Sequence, residues 1–546
     1  MATFGIDLGT TYSCIAYVDG SGRATVIKNA LGEDTTPSVV YFEGPESVVI
    51  GRDAKSVAML SPDLVVSLIK RQMGTDFEQT FHGETHTPET ISALILRELA
   101  KSAAQETGQA VTDVVITVPA YFGLAQREAT RKAGEIAGLT VLNVVPEPVA
   151  AALHYQAMGA GEDRTILVFD LGGGTFDTTV IKLAGNDIHV VCTDGSHHLG
   201  GADWDEKIRD FLLARFMQEN PGSDAAGSEE FMQELTLRAE EMKKSLSSAQ
   251  SCKHTMRFDG DPCRAELTRA DFESLASNLL ETAMDITQRT IDTAREAGVT
   301  VFDEVLLVGG STRVPAVAAM LRERFGFEPR LHDPDQAVAK GAALFALIES
   351  VKIMLPDESG DGPQSGISDT KVEEVAQHLG ITADKVRGLA KKRVTSVVPR
   401  AFGIKVVDRE DRKELPGEGD LTYKIAHILE ANRPLPASPD TQQFYTVYPD
   451  QVAIQIEIWE QAGAVSSSEL ADNSKIGDGI ITGLPPLPQQ SPIDVTFKMN
   501  ETGLLRVEAV ELKTGKKLNM ELQTEGLAED KVEEARSAIA RYATSE

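Results

Sequence analysis

Phe169-Asp170-Leu171-Gly172-Gly173-Gly174-Thr175-Phe176-Asp177 is the stretch on which the fold turns. An apolar run, residues 165–169, enters an aspartate and a glycine-rich turn. A second run, residues 176–183, leaves it for Ala184-Gly185-Asn186-Asp187. Consecutive glycines let the N–H groups of a turn approach an anion closely and form a nest for it. The same plan stands at the N-terminus, where a run ending at Asp7 is followed by Leu8-Gly9-Thr10-Thr11, residues 13–18 and the turn Asp19-Gly20-Ser21-Gly22. Two copies of a strand–turn–strand unit, each with helical pattern after it, indicate an internal duplication. Two α/β lobes would then leave a cleft between the two turns, with Asp7 and Asp170 facing across it. Such carboxylates suit a hydrated Mg²⁺, which prefers octahedral oxygen and keeps several waters. A third glycine-rich turn, Val308-Gly309-Gly310-Ser311-Thr312-Arg313, joins a strand to a helix, whose N-terminus favours anionic and polar groups.

Outward from these turns, bulk properties set limits. A chain of 546 residues exceeds one core and suggests roughly three or four domains. Its net charge of −30 disfavours broad binding to nucleic acid or an anionic membrane. Cys14, Cys192, Cys252 and Cys263 lie far apart without a CxxC pair, which fits a reducing compartment rather than a zinc or disulfide framework. No apolar run approaches the ~18 residues of a membrane span, and the N-terminus has no signal-peptide pattern, so the expected location is cytoplasmic.

Residues 231–250 and 272–297 each read as one helix, residues 305–308 as a buried strand and 314–325 as the helix after it. Residues 357–366 read as an exposed linker. Residues 368–393 look like two short helices, with Asp369 capping the first, Gly380 ending it and Thr382 capping the second. Ala376, Gly380 and Val386 have helix-turn-helix spacing, and Arg387, Lys391, Lys392 and Arg393 are basic. Two helices without a third seldom fold alone, so a spacer or docking hairpin is expected rather than a DNA reader. From residue 395 the period becomes two. Val452, Ile454, Ile456 and Ile458 alternate with polar or small residues, as do three later runs, and the pattern argues a β-sandwich. Residues 528–542 close the chain as a helix.

The motifs Gly5-Ile6-Asp7-Leu8-Gly9-Thr10-Thr11, Val118-Pro119-Ala120-Tyr121-Phe122, residues 169–177 and 308–313 resemble, in order, those of the seventy-kilodalton heat-shock chaperone family (DnaK-like). The likeness is greatest to its compact, specialised bacterial members. The resemblance implies an actin-like two-lobed ATPase of duplicated ribonuclease-H-like units at 1–350, a linker with a helical-hairpin insert at 351–394, a peptide-binding β-sandwich at 395–525 and a short C-terminal helix at 526–546, without a lid. It implies ATP and Mg²⁺ as cofactors, with Asp7 and Asp170 holding the metal through waters. Lys70, Glu147, Asp170, Thr175 and Asp177 match catalytic positions, Lys70 orienting the attacking water. Gly9, Thr10, Thr11, Tyr12, Gly172, Gly173, Gly174 and Gly201 match the phosphate loops. Glu240, Lys243, Lys244 and Ser247, which share one helix face, match adenosine contacts with Gly309, Gly310, Ser311, Arg313 and Asp335 opposite. Ile404, Val406, Val407, Phe444, Ile454 and Ile456 match channel positions for an extended apolar peptide. Read from the residues alone, these last six are sandwich core. Pro119 and Arg127 match the switch that relays nucleotide state. Implied partners are unfolded clients, a J-domain co-chaperone and a nucleotide exchange factor. A small-molecule kinase or an actin-like filament protein would use the same ATPase fold.

The chain departs from the family in four places. The segment between Phe77 and Pro88 is short. Asn143, Pro146 and Ser396 stand where a J-domain is usually met. The linker reads Arg393-Val394-Thr395-Ser396 instead of a run of leucines, and the hairpin is expected to hold it away from the ATPase. Only some twenty residues follow the sandwich, so the final helix alone is expected to cover the peptide channel.

Overall fold

The computed structural model describes residues 3–158, 163–355, 368–408, 422–463, 465–522 and 529–544. Two mixed sheets share one plan. In the first, Phe4–Asp7 pairs antiparallel with Tyr12–Val18 and parallel with Asp113–Val118, beyond which lies Thr140–Pro146. In the second, Arg164–Leu171 pairs antiparallel with Phe176–Ala184 and parallel with Glu304–Val308, beyond which lies Pro329–Leu331. Strands covered on both faces read as continuous apolar runs, and residues 166–171 are buried without a break. The Ala337–Met354 helix is apolar nearly all round, as a buried helix must be. It packs on Phe4–Asp7 and Tyr12–Val18 and on the Glu147–Ala157 helix.

The short segment after Phe77 is a small hairpin, Gln79–Phe81 with Glu84–His86. The helix expected over 272–297 is broken at Ala276 into Arg269–Leu275 and Ser277–Glu296. Phe272, Ala276 and Leu280 all enter one core, so the apolar period runs straight across the break and conceals it.

Past residue 368 two helices, Asp369–Leu379 and Ala383–Ala390, form the hairpin. Gly380, at φ 69°, ends the first and Thr382 caps the second. Ser368, not Asp369, caps the first, and Asp369 pairs with Arg387 instead. The hairpin packs on the two-lobed unit: Val372, Val375, Ala376, Ile381 and Val386 are buried in one cluster with Leu344, Ile348 and Val351. Three of its basic residues bond within the chain, Arg387 with Asp369 and Asp384, Lys385 with the Ser21 carbonyl and Lys392 with Gln156, while Lys391 and Arg393 are exposed. The expectation that it separates the linker from the ATPase is overturned. Arg393–Thr395 pairs parallel with Asp187–Ser196 as the outermost strand of the second sheet. Edge pairing uses main-chain N–H and C=O groups, so leucines are not needed for it. The expected linker at residues 357–366 lies outside the described residues.

Two four-stranded sheets then pack face to face. One holds Tyr423–Leu429, Phe402–Val407, Ile454–Gln461 and Asn473–Ile481; the other holds Gln442–Tyr445, Pro492–Met499, Leu505–Glu511 and Lys517–Leu522. Phe402, Ile458, Val495, Phe497 and Val507 fill the space between them. Val452 lies before its strand and is exposed.

The last helix, Glu529–Ala540, does not lie over the sandwich; it packs on the Pro88–Thr107 and Leu124–Ile136 helices of the first lobe. Val532, Ala535, Ile539 and Tyr542 form one stripe on its inner side and join that lobe's core. Ala543–Thr544 adds parallel to Ser47–Ile50. Arg97 bonds the carbonyls of Ile539 and Tyr542, and the Tyr542 hydroxyl lies 3.0 Å from His86 Nε2. The tail is thus a clasp on the first lobe.

Candidate functional site

The two glycine turns meet face to face. A Cβ on Gly173 would lie 2.0 Å from Thr11 Oγ1, so only glycine permits this approach. Between the lobes opens a cleft of about 600 Å³. Asp7, Gly9, Thr10, Thr11, Tyr12, Lys70, Glu147, Asp170, Gly172, Gly173 and Thr175 line its floor and inner walls. Glu240, Lys243, Lys244 and Ser247 line one outer side, with Gly309, Gly310, Ser311, Arg313 and Asp335 on the other. Gly174, Asp177 and Gly201 stand just behind this lining. Gly201 accepts from Lys243 Nζ at 2.8 Å, and Asp177 is paired in register with Asp170.

The floor is a buried, charged cluster. Lys70 (4% exposed) donates to Glu147 Oε1 at 2.6 Å. Glu147 opens its helix, where the partial positive charge of the N-terminus favours a carboxylate. Asp7 accepts from Thr117 Oγ1 at 3.1 Å. Burial, then the charge of Glu147, pushes the Asp7 carboxyl up to about 7 and the Asp177 carboxyl up to about 8, and raises Asp170 well above the carboxylate range. Asp170 Oδ2 is buried without a hydrogen-bond partner. Several desolvated carboxylates against one lysine, with an oxygen unsatisfied, suit a cation. A hydrated Mg²⁺, which keeps several of its waters, fits such carboxylates.

At the mouth, Tyr12 donates to Glu240 Oε1 at 2.8 Å and lies between Lys55 and Lys244, each 4.9 Å from its ring. Burial opposes the charge on Glu240, but Lys55 and Lys244 prevail and hold it at about 2. Arg313 pairs with Asp335 on the opposite rim. Sequence reasoning missed Arg71, whose guanidinium bonds the Gly174 carbonyl at 2.9 Å and Asp203 at 2.6 Å and so ties the first lobe to the second glycine turn. It also missed Lys55, Asp205 and the wall residues Pro334 and Gln336. Neither an isolated charge on a helix nor an uncharged loop residue carries a pattern that would have revealed them.

A polar relay leaves the floor for the sandwich. The Tyr121 N–H donates to Asp177 at 3.0 Å, and its hydroxyl donates to the Gly463 carbonyl at 2.6 Å. Arg127 is half-buried and bonds the Phe122 and Ala120 carbonyls, which fixes the segment that follows Pro119. Arg400 (5% exposed) donates to the Tyr121 carbonyl at 3.1 Å and stacks on its ring. Glu460 (3% exposed) accepts from the Leu124 N–H at 3.1 Å, so the sandwich caps a helix of the ATPase. Asn143, Pro146 and Ser396 line one interdomain groove beside Arg127.

The channel candidates divide. Ile404, Ile454 and Ile456 are buried in the sandwich core, Val406 and Phe444 are half-buried against it, and Val407 is half-buried outside that cluster. No described helix is long and apolar enough to cross a membrane.

A family model described as Hsp70 protein matches residues 3–357 and 420–546. The unmatched stretch between them holds the hairpin, the edge strand of the linker and the first sandwich strand. The chain therefore belongs to the Hsp70 family, chaperones with ATP-regulated binding that are built from a two-lobed actin-like ATPase and a β-sandwich.

Proposed function

We propose that the cleft binds MgATP and hydrolyses it, and that the sandwich grips extended apolar segments of unfolded clients with an affinity set by the nucleotide. The Lys70–Glu147 pair supports this reading most: a buried ion pair stands between two metal-suited aspartates, opposite the glycine nests. The N–H groups of both turns would bind and orient the phosphates. Lys70, held by Glu147, would position the attacking water, and Glu147 stands ready to accept its proton. Thr10, Thr11 and Thr175 are placed for phosphate contacts. The metal, when bound, neutralises phosphate charge. Phosphoryl transfer depends on such positioning and charge stabilisation more than on covalent help.

Nucleotide state would pass through Asp177 and Tyr121 to Arg400 and Glu460, with the hairpin holding the linker strand at the sheet edge. Val406, Val407 and Phe444 are the channel candidates with surface still open to a client. A J-domain and an exchange factor remain expected partners, with Asn143, Pro146 and Ser396 altering the J-domain contact. A kinase would require an acceptor. Phosphate release from ATP with no acceptor added, lost in Lys70→Ala, tests the hydrolase reading; ADP formed only with an added acceptor, the phosphoryl group ending on that acceptor, would defeat it.

A further inference from the structure

Behind the outer wall of the cleft lies a second charged cluster that the proposed catalysis does not use. Asp333 sits at φ 43°, a left-handed conformation that a non-glycine residue seldom takes. Its carbonyl accepts the N–H groups of Gln336 (3.0 Å) and Ala337 (2.8 Å) and starts the Ala337–Met354 helix. Its carboxylate pairs with Lys340, one turn along that helix, and lies 3.7 Å from Nε2 of buried His154 near the end of the Glu147–Ala157 helix. The next residue, Pro334, gives its carbonyl to the Gly309 N–H at 3.0 Å, and Asp335 pairs with Arg313. Pro334, Asp335 and Gln336 all face the cleft. The two helices are locked backbone to backbone, since a Cβ on Gly341 would fall 1.8 Å from the Ala150 carbonyl oxygen.

We propose that His154, Asp333 and Lys340 are positioning residues that fix the Pro334–Asp335 wall against the third glycine turn, and so set the affinity for the base and ribose of the nucleotide. The inference rests on the nucleotide reading of the cleft. Two features carry it. A buried imidazole and an ammonium, from two helices, converge on one oxygen of the strained loop aspartate, Asp333 Oδ2. That loop is the cleft wall, and its neighbours bond the third glycine turn. The neighbouring His154 ring and the Lys340 ammonium hold the Asp333 carboxyl down at about 2, so it stays ionised at neutral pH. The His154 helix also begins at Glu147, so the tie joins the nucleotide wall to the helix that carries a floor carboxylate. None of the three lines the cleft, which separates their effect from that of Lys70.

The test measures ADP affinity by titration calorimetry and ATP hydrolysis in a single turnover at saturating protein, for the full-length parent, Asp333→Asn, Lys340→Met, Lys340→Arg, and His154→Ala with and without Asp333→Asn. Asp333→Asn and Lys340→Met should each raise the Kd for ADP about tenfold while slowing the single turnover less than threefold. Lys340→Arg should return the Kd to within about threefold of the parent. His154→Ala should add nothing once Asp333 is Asn. If the parent binds ADP and Asp333→Asn, which is isosteric, and Lys340→Met bind it equally well, the tie is overturned and the nucleotide reading stands. Additive effects, or a turnover loss larger than the affinity loss, would overturn it as well. If the parent itself binds neither ADP nor ATP, the nucleotide reading falls and the tie with it.

Discussion

Glu460→Ala should release the sandwich from the ATPase. Its carboxylate is buried in the interface, accepts the first N–H of the Leu124–Ile136 helix and faces the guanidinium groups of Arg400 and Arg127. Removing it deletes a helix cap, which costs about 1 kcal/mol. It also takes a buried anion away from the guanidinium groups it faces, and the loss of that longer-range attraction adds about 2 kcal/mol. Arg400 keeps its bonds to the Tyr121 and Gln461 carbonyls, so the two losses together come to about 3 kcal/mol. At 1.4 kcal/mol per tenfold, that weakens docking by roughly 150-fold. Glu460→Gln can still accept from Leu124 and should cost about half as much in free energy. Amide hydrogen exchange over residues 123–127 reads the loss directly, and Trp459 fluorescence follows it from the adjacent position. Unchanged protection of the Leu124 amide in Glu460→Ala would refute the reasoning, because nothing else caps that N–H across the interface.

Three further outcomes follow from the geometry. Lys70→Ala should keep ATP affinity within a few-fold but slow single-turnover hydrolysis at least ~100-fold, since it removes water positioning rather than nucleotide contacts; a near-parental rate removes Lys70 from catalysis. The tail clasp should loosen in acid. Burial holds His86 down at about 4, so it is neutral while the clasp is closed and takes up a proton near its ordinary 6.5 when the clasp opens. The clasp is then fully stable above about pH 6.5 and loses stability as pH falls toward 4, by about 2 kcal/mol at pH 5. Hydrogen exchange of the Ala543 amide at pH 7.5 and pH 5, corrected for intrinsic rates, measures this, and equal opening free energies would contradict it. Because the final helix lies on the ATPase and not over the sandwich, a labelled apolar peptide should leave within seconds even with ADP bound, affinity differences lying mostly in the off-rate; stopped-flow release over many minutes would argue against the open channel.

The sequence announced the parts that repeat. Two Asp-Gly turns, a third glycine turn and the stripe Glu240, Lys243, Lys244, Ser247 have fixed spacings, and the fold brings all of them to one cleft. What stayed hidden depends on partners distant in the chain. Arg71 matters because Gly174 and Asp203 face it. Tyr542 is unremarkable until Phe42 and His86 surround it. The linker misled for a different reason: its side chains lack the apolar surface that docking through leucines would need, but its main chain completes the edge of a sheet, and main-chain bonding leaves no mark in residue type. The six channel candidates show the limit of period-two patterning, which cannot separate the three isoleucines in the core from Val406 and Phe444 at its margin.

The most direct test of the central claim follows phosphate release and peptide release together in the intact chain, with a fluorescent extended apolar peptide pre-bound and no phosphate acceptor present. Rapid mixing with Mg²⁺ and ATP should speed peptide departure at least tenfold over ADP, before the slower release of one phosphate per ATP consumed. Peptide that leaves at the same rate with ATP, ADP or buffer would contradict the account.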